Sequence, residues 1–380
     1  MTEITESATP LRELVLQVKG EVESEFVGRE REALVAILAL ITRNHAVFIG
    51  EPGTAKTAVL RNLTERIDGN FYTYLMSKYT TPDELIGPID AIAYKNGHFK
   101  RQREHWLPDA HIAFIDEVFK GSSQTLNTIL NIMNERRFVD ADGIERTVPL
   151  ISMFGASNEL PQGEELAPFY DRFAFKVFVE PVDSDNLKIG IKKNIIKKPQ
   201  ENPQHITQEQ LRAIYDEITE FMIANADELA SLISTVVNRM REKSIFISDR
   251  TAMGNGYLPR IIAAFSWMTG APLKRAIAEV SHYIIQDNDE QLNSLEKVLE
   301  GLYPREITEI EGKLAEVDKL IKDRNLGAAN KKALDTLNML QDLLKKEEMA
   351  NLYADEINGA ISNVETKLKK IADIERLLSS

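Results

Sequence analysis

Residues Val47 to Leu60 read VFIGEPGTAKTAVL, and the fold turns on this stretch. A short apolar strand enters a loop carrying Gly50 and Gly53, and the loop leads into TAVLRNLTERI, whose Val59, Leu60 and Leu63 share one helical face. Such a loop can wrap a phosphate with backbone N–H groups, and the helix N-terminus adds its dipole. Gly50 and Gly53 supply turn freedom, Pro52 stiffens the entry, Lys56 reaches the phosphates and Thr57 offers a hydroxyl to Mg²⁺. The pattern G-x-x-x-x-G-K-[ST] departs at one place, where Ala55 replaces the second glycine. Position 55 is expected to open the helix with right-handed backbone, where alanine is a good helix former, so the loop remains a nucleotide site.

Outward from the loop, strands alternate with helices. HIAFIDEVF is a nearly all-apolar run ending in Asp116 and Glu117, as a buried parallel strand reads. QTLNTILNIMNERRF is a helix, and LISMFGASN and FAFKVFVEP are further strands. The alternation predicts an α/β fold with a parallel sheet covered on both faces. Asp116 suits a Mg²⁺ shell and Glu117 can polarise an attacking water. Asn158, at the end of a third strand, can hold the same water. Arg172, in YDRFAFKVFV, either pairs with Asp171 or faces a neighbouring subunit's nucleotide as an arginine finger. Two hairpin signals interrupt the pattern, centred on Asn96-Gly97 and Asp142-Gly143.

The 380 residues carry a formal charge of −13, which argues against non-specific coating of nucleic acid. There is no cysteine, so disulfides and thiolate metal sites are excluded and a reducing, cytoplasmic setting is expected. No signal peptide is evident, and no uncharged run of about 18 residues suggests a membrane span. The six histidines are scattered, without metal-ligand spacing. Trp106 and Trp267 read as packing residues. An amphipathic patch at Leu11, Leu14, Leu16 and Val18 marks the N-terminal segment, and Lys188 to His205 is basic, Pro-punctuated and reads as a linker. A helical region follows over 207–290. In the tail, Ile307, Ile310, Leu314, Val317 and Ile321, then Ile357, Ile361, Val364, Leu368 and Ile371, step by three and four around the break NLGAAN. An antiparallel helical hairpin or small bundle is expected there.

The motifs FVGREREALVAILALITRNHAVFIGEPGTAKT, YTTPDELIGPI, WLPDAHIAFIDEVFKGSSQTLNTILNIMNERRF, GASNELP, FYDRF and ISDR, spanning about residues 26–290, resemble the MoxR family of AAA+ ATPases, and more narrowly its RavA-like branch. Alanine before the loop lysine is a variant of that branch. Changes of texture along the chain divide it into an N-terminal extension (1–25), an α/β nucleotide-binding domain (26–184), a linker and all-α lid (185–303) and a C-terminal helical segment (304–380), the last departing from the larger C-terminal extension of the RavA-like branch. The resemblance implies that Phe26, Val27 and Gly28 line the adenine side and that Gly50, Glu51, Pro52, Gly53, Thr54, Ala55, Lys56, Thr57 and the adjoining Ala58 cradle ATP. It also implies that Thr57 and Asp116 hold Mg²⁺, Glu117 is the catalytic carboxylate, Asn158 is sensor 1 and Arg172 is the trans-acting finger. Arg250, in ISDR, would reach the phosphates from the lid as sensor 2. The helix-breaking TAMGNGYLP that follows puts this in question, with Arg260 as a substitute. The expected activity is ATP hydrolysis by a homo-oligomer, usually a hexameric ring, that remodels a client protein, often with a von Willebrand A-domain partner; the alternative is a nucleic-acid-associated motor.

Overall fold

The computed structural model describes residues 9–161, 163, 166–196, 203–254, 256–284, 294–295, 297–299, 305–322 and 325–379. The chain forms two compact units, 1–295 and 296–380. In the first, the elements run α1 (Pro10–Glu25), α2 (Glu30–Thr42), β1 (Ala46–Ile49), α3 (Lys56–Thr64), β2 (Phe71–Leu75), α4 (Asp83–Ile86), α5 (Ala91–Lys95) and β3 (Ile112–Asp116). Then come α6 (Ser123–Glu135), β4 (Arg137–Val139), β5 (Glu145–Thr147), β6 (Ser152–Ser157), α7 (Ala167–Tyr170), β7 (Phe175–Phe178) and α8 (Ser184–Ile196). A helical layer of α9 (Gln208–Ala224), α10 (Ala226–Glu242), α11 (Asp249–Met253), α12 (Leu258–Thr269) and α13 (Leu273–Ser281) follows.

The sheet order is β2-β3-β6-β1-β7, all parallel. Its three inner strands are buried along almost their whole length, which is why they read as apolar runs rather than alternating ones. Val47, Ile49, Ala113, Ile115 and Met153 form one core with Leu126, Ile129 and Ile132 of α6.

The structure corrects two local expectations. Asn96-Gly97 does not close a β-hairpin. The Asp90 carboxylate accepts the N–H groups of Ile92 and Ala93 and so starts α5, and Gly97, at φ 79°, lies just beyond its end. Only an isolated bridge, Ile89 to Arg101, joins the flanks. A local side-chain cap has outcompeted the turn signal. The second insert is the antiparallel β4–β5 hairpin that its sequence predicts. Residues 188–196, expected as linker, instead continue α8, whose first turn Asp183 caps by accepting from Asp185 and Asn186; residues 197–202 lie outside the described ones.

At the N-terminus, Val15, Val18 and Val22 are the buried positions of α1, whereas Leu16 is 38% exposed. That face packs against α2 and α3 beside the sheet and against α9 and α12 of the helical layer, so α1 ties the two together. A second tie lies at the start of β1. Asn44 Nδ2 donates to the Gly256 carbonyl at 2.6 Å. Tyr215 of α9 is approached by two guanidinium groups, Arg43 at 4.4 Å and Arg260 at 4.1 Å from its ring centre.

Among the described residues of the second unit, three long helices pack together, α14 (Arg305–Lys322), α15 (Leu326–Leu344) and α16 (Glu347–Ser379). Ile310, Val317, Ile357, Val364 and Ile371 are buried as the periodicity predicts; Ile307 lies where burial is not described. The middle helix is the element that the periodicity does not show. NLGAAN does not simply break the pattern, because the Asn325 side chain caps α15 and its core face is built from the small Ala329 and Ala333 with Leu340 and Leu343.

His45 makes the sheet sensitive to acid. It is 5% exposed, its Nδ1 accepts the Met153 N–H at 2.8 Å, and its Nε2 lies 3.1 Å from the Met133 carbonyl. A neutral ring protonated at Nε2 satisfies both. Burial first, and the Arg136 guanidinium second, push its pKa well below the ordinary 6.5. The unfolded chain therefore takes up a proton below about pH 6.5 that the folded chain refuses. Stability contributed above that pH is lost as pH falls, by up to about 1.4 kcal/mol per pH unit. Urea unfolding between about pH 7 and pH 5.5 should show this slope, and His45→Gln should flatten it.

Candidate functional site

The phosphate loop leaves the sheet at the carboxyl ends of its strands. Gly50 N–H donates to the Ser157 carbonyl at 3.0 Å, and Val179 N–H donates to the Ile49 carbonyl at 2.7 Å, so the loop starts where β6 and β7 end. A Cβ on Gly50 would sit 2.2 Å from the Val179 carbonyl oxygen, which leaves glycine as the residue that fits. Gly53 takes φ 83°, a turn that costs glycine little.

Ala55 overturns its expected conformation. It caps α3 with φ 64° and ψ 13°, in the left-handed region rather than the right-handed one. For an L-residue this costs roughly 1–2 kcal/mol. The turn is what aims successive N–H groups into one concavity. Among the described residues, no hydrogen bond uses the N–H groups of Gly53, Thr54, Ala55, Lys56 or Thr57. The Lys56 ammonium donates to the Gly50 and Glu51 carbonyls at 2.5 and 2.8 Å. Burial lowers its pKa, against which the Asp116 and Glu117 carboxylates act.

Those carboxylates end β3. The Asp116 side chain accepts the Glu117 N–H at 3.0 Å. Glu117 is a second strained residue, with φ 53° and ψ 40°. That turn swings its carboxylate off the strand axis to meet Asn158, whose Nδ2 donates to Oε1 at 2.6 Å. Lys120 holds Oε2 at 3.2 Å. Parallel pairing of β3 with β6 and of β6 with β1 brings Lys56, Asp116, Glu117 and Asn158 to one edge of the sheet. The sequence motifs do not single out Lys120; its position three residues past Glu117, in a short helical turn, is the available signal.

Arg172 is elsewhere. It lies three residues before β7, whose first residue, Phe175, pairs with Ala46, the first of β1. The loop begins at the other end of β1, roughly 13 Å away along the strand. Arg172 approaches Asp171 at only 3.6 Å, and its buried Nε has no hydrogen-bond partner. Arg250, the first-turn residue of α11, reaches the same Asp171 carboxylate at 3.3 Å. It therefore joins Arg172 instead of its own chain's phosphate loop. Arg260, the expected alternative, is 3% exposed and donates to the Thr219 hydroxyl at 2.7 Å.

Phe26 caps the end of α1, and Val27 and Gly28, the latter at φ 74°, form the turn that follows. A Cβ on Gly28 would fall 3.0 Å from Val182 and 3.3 Å from Asn186. Val182 and Asn186 are thus part of this wall, which sequence reading misses because more than 150 positions separate them from Gly28.

The residues fit a nucleoside triphosphate with a divalent cation. Orphaned N–H groups and a lysine suit phosphate oxygens, and the exposed Thr57 hydroxyl with the half-buried Asp116 carboxylate is a hard oxygen donor set. The described residues hold no cluster of three or more metal-ligating side chains, and no described helix is long and apolar enough to cross a membrane.

Residues 12–216 match the family described as the MoxR domain in the MoxR-vWA-beta-propeller ternary systems. The chain belongs to the MoxR family of AAA+ ATPases. It is an ATPase of MoxR type. An uncharacterized protein of Methanocaldococcus jannaschii is 32% identical over 95% of this chain and 97% of its own. Chaperone MoxR1 of Mycobacterium tuberculosis is 26% identical over 42% of each chain. A crystal structure of a protein from Cytophaga hutchinsonii shares the fold, with a TM-score of 0.61, 19% identity, and coverage of 76% of this chain and 94% of that one.

The strain at Ala55 gives a direct prediction for this MoxR chain. Ala55→Gly relieves a left-handed alanine at the expense of a freer unfolded chain, so the net gain in chemical-denaturation stability should be roughly 0.5–1 kcal/mol. A loss of stability would contradict the strain.

Proposed function

We propose that this ATPase works as a ring-forming homo-oligomer, hexameric as is usual in the family, in which ATP binds between subunits and hydrolysis remodels a protein client. The observation that carries it is the separation of Arg172 from Lys56 at opposite ends of the β1–β7 pair. A finger at that edge cannot serve its own loop, but can serve the loop of a neighbour presenting its other edge. Arg250, on the same Asp171, then faces the neighbour too.

In this reading the N–H groups of Gly53 to Thr57 and the Lys56 ammonium bind the β- and γ-phosphates, and Phe26, Val27, Gly28, Val182 and Asn186 wall the base side. Thr57 and Asp116 would hold Mg²⁺, which supplies charge neutralisation to the phosphate oxygens. Glu117, held by Asn158 and Lys120, accepts the proton of the attacking water while Asn158 fixes its position. Arg172 stabilises charge on the transferring phosphoryl group. The vWA systems in which this type of MoxR domain occurs support a von Willebrand A-domain partner, and the kinship with a protein named a chaperone supports a client that is itself a protein.

Glu117→Gln should lower turnover by about 100-fold or more while nucleotide still binds; an unchanged rate would remove Glu117 from catalysis. Mixing Arg172→Ala with Lys56→Ala subunits should restore part of the activity that each lacks alone, because some interfaces then combine an intact loop with an intact finger. Purely additive residual rates would remove the trans role.

A further inference from the structure

Among the described residues, two apolar surfaces have no apolar partner, and they lie on opposite sides of the proposed subunit contact. The first is a cavity of about 560 Å³, not at the phosphate loop but on the helical layer, lined by Ile223, Leu229, Ile233, Val237, Ala252 and Met253 among others. Ile223 is 66% and Met253 71% exposed at its mouth. Ala252 and Met253 belong to α11, the helix whose Arg250 holds Asp171 beside Arg172. The cavity is therefore continuous with the finger side of the molecule.

The second surface is α8. None of its residues is buried, and Leu187, Ile189, Ile191, Ile195 and Ile196 are all more than half exposed. Leu187, Ile191 and Ile195 stand four residues apart and make one stripe, with Lys188 and Lys192 in an adjacent stripe. Exposing five large aliphatics on thirteen residues costs solubility unless something covers them. This helix starts beside the nucleotide wall, since Asn186 in its first turn approaches Gly28. Hence α8 is on the loop side and the cavity on the finger side, the two sides that a finger acting in trans must bring together.

We infer that α8 of one copy of this chain seats its Leu187–Ile191–Ile195 stripe in the α10–α11 cavity of the next copy. The inference rests on the trans reading of Arg172. Charge supports the pairing. The lining itself carries Asp249, paired with Arg241 at 2.6 Å, and the exposed Asp227 stands on the α10 face three and seven residues before the lining Ala230 and Ser234, so two carboxylates against one guanidinium leave the rim acidic, opposite in sign to the α8 lysines. A contact between unlike surfaces is heterologous, so it propagates head to tail and closes into a ring when the rotation permits.

The absence of cysteine in the chain makes the test clean. Ile195→Cys and Met253→Cys are prepared as separate single-cysteine full-length proteins, mixed with ATP and Mg²⁺, and oxidised. The expected result is a disulfide-linked dimer on non-reducing gels that forms several-fold more in the mixture than in either protein alone and disappears with reductant. As a second measurement, Ile191→Glu should lower the oligomer mass seen by light scattering, and Ile233→Glu should do the same from the other side. If wild-type oligomers form and hydrolyse ATP but the mixture does not cross-link and both glutamate variants assemble normally, the seating of α8 is wrong while the ring reading stands. If wild-type chain stays monomeric at every nucleotide state, both fall together.

Discussion

Parallel hydrogen bonding of β1 between β6 and β7 is the constraint on which the site depends. The register Ile49↔Ser157 and Ile49↔Phe178 stops three strands at one level, and the phosphate loop with its Lys56 starts from that level beside Asn158. A one-residue slip would turn inward-facing side chains outward and move the loop off the Val179 carbonyl against which Gly50 fits. The all-buried strands make such a slip costly, because every face of the inner sheet is covered by helices.

The same edge holds two of the six described non-glycine residues with positive φ. Ala55 and Glu117 both occupy the left-handed region, the one where the loop enters α3 and the other where the chain leaves β3, and each aims something at the site. In Ala55 the objects aimed are N–H groups; in Glu117 it is a carboxylate. Neighbouring structure holds them there: α3 and β1 flank the one, and Asn158 and Lys120 grip the side chain of the other.

Much of this is legible in the sequence, and the exceptions have physical causes. The apolar runs ending in GEPGTAKT, FIDE and ASN disclose the parallel sheet and its functional edge. A strand covered on both faces must be apolar throughout, and it turns polar only where it emerges from the core. The conformation of Ala55 escapes such reading because helix propensity speaks for the helix interior, whereas the cap obeys the loop's geometry. The Asn96-Gly97 turn misleads because Asp90 supplies a helix cap that the dipeptide alone does not reveal. Val182 and Asn186 cannot be found by spacing, for tertiary folding alone brings them to Gly28. The middle tail helix hides behind alanines, whose small side chains give a weak periodic signal while allowing close approach of neighbouring helices.

The joint between sheet and helical layer combines two kinds of contact with different mechanical character. A guanidinium over a ring, as Arg43 sits over Tyr215, is attracted by a broad electrostatic surface and tolerates sideways sliding. The 2.6 Å hydrogen bond from Asn44 to Gly256 weakens steeply with misalignment. One contact behaves as a bearing and the other as a pin. A rotation of the helical layer that preserves both must pivot close to Asn44, immediately before the strand that carries the phosphate loop, so the axis of motion and the chemistry share a single strand.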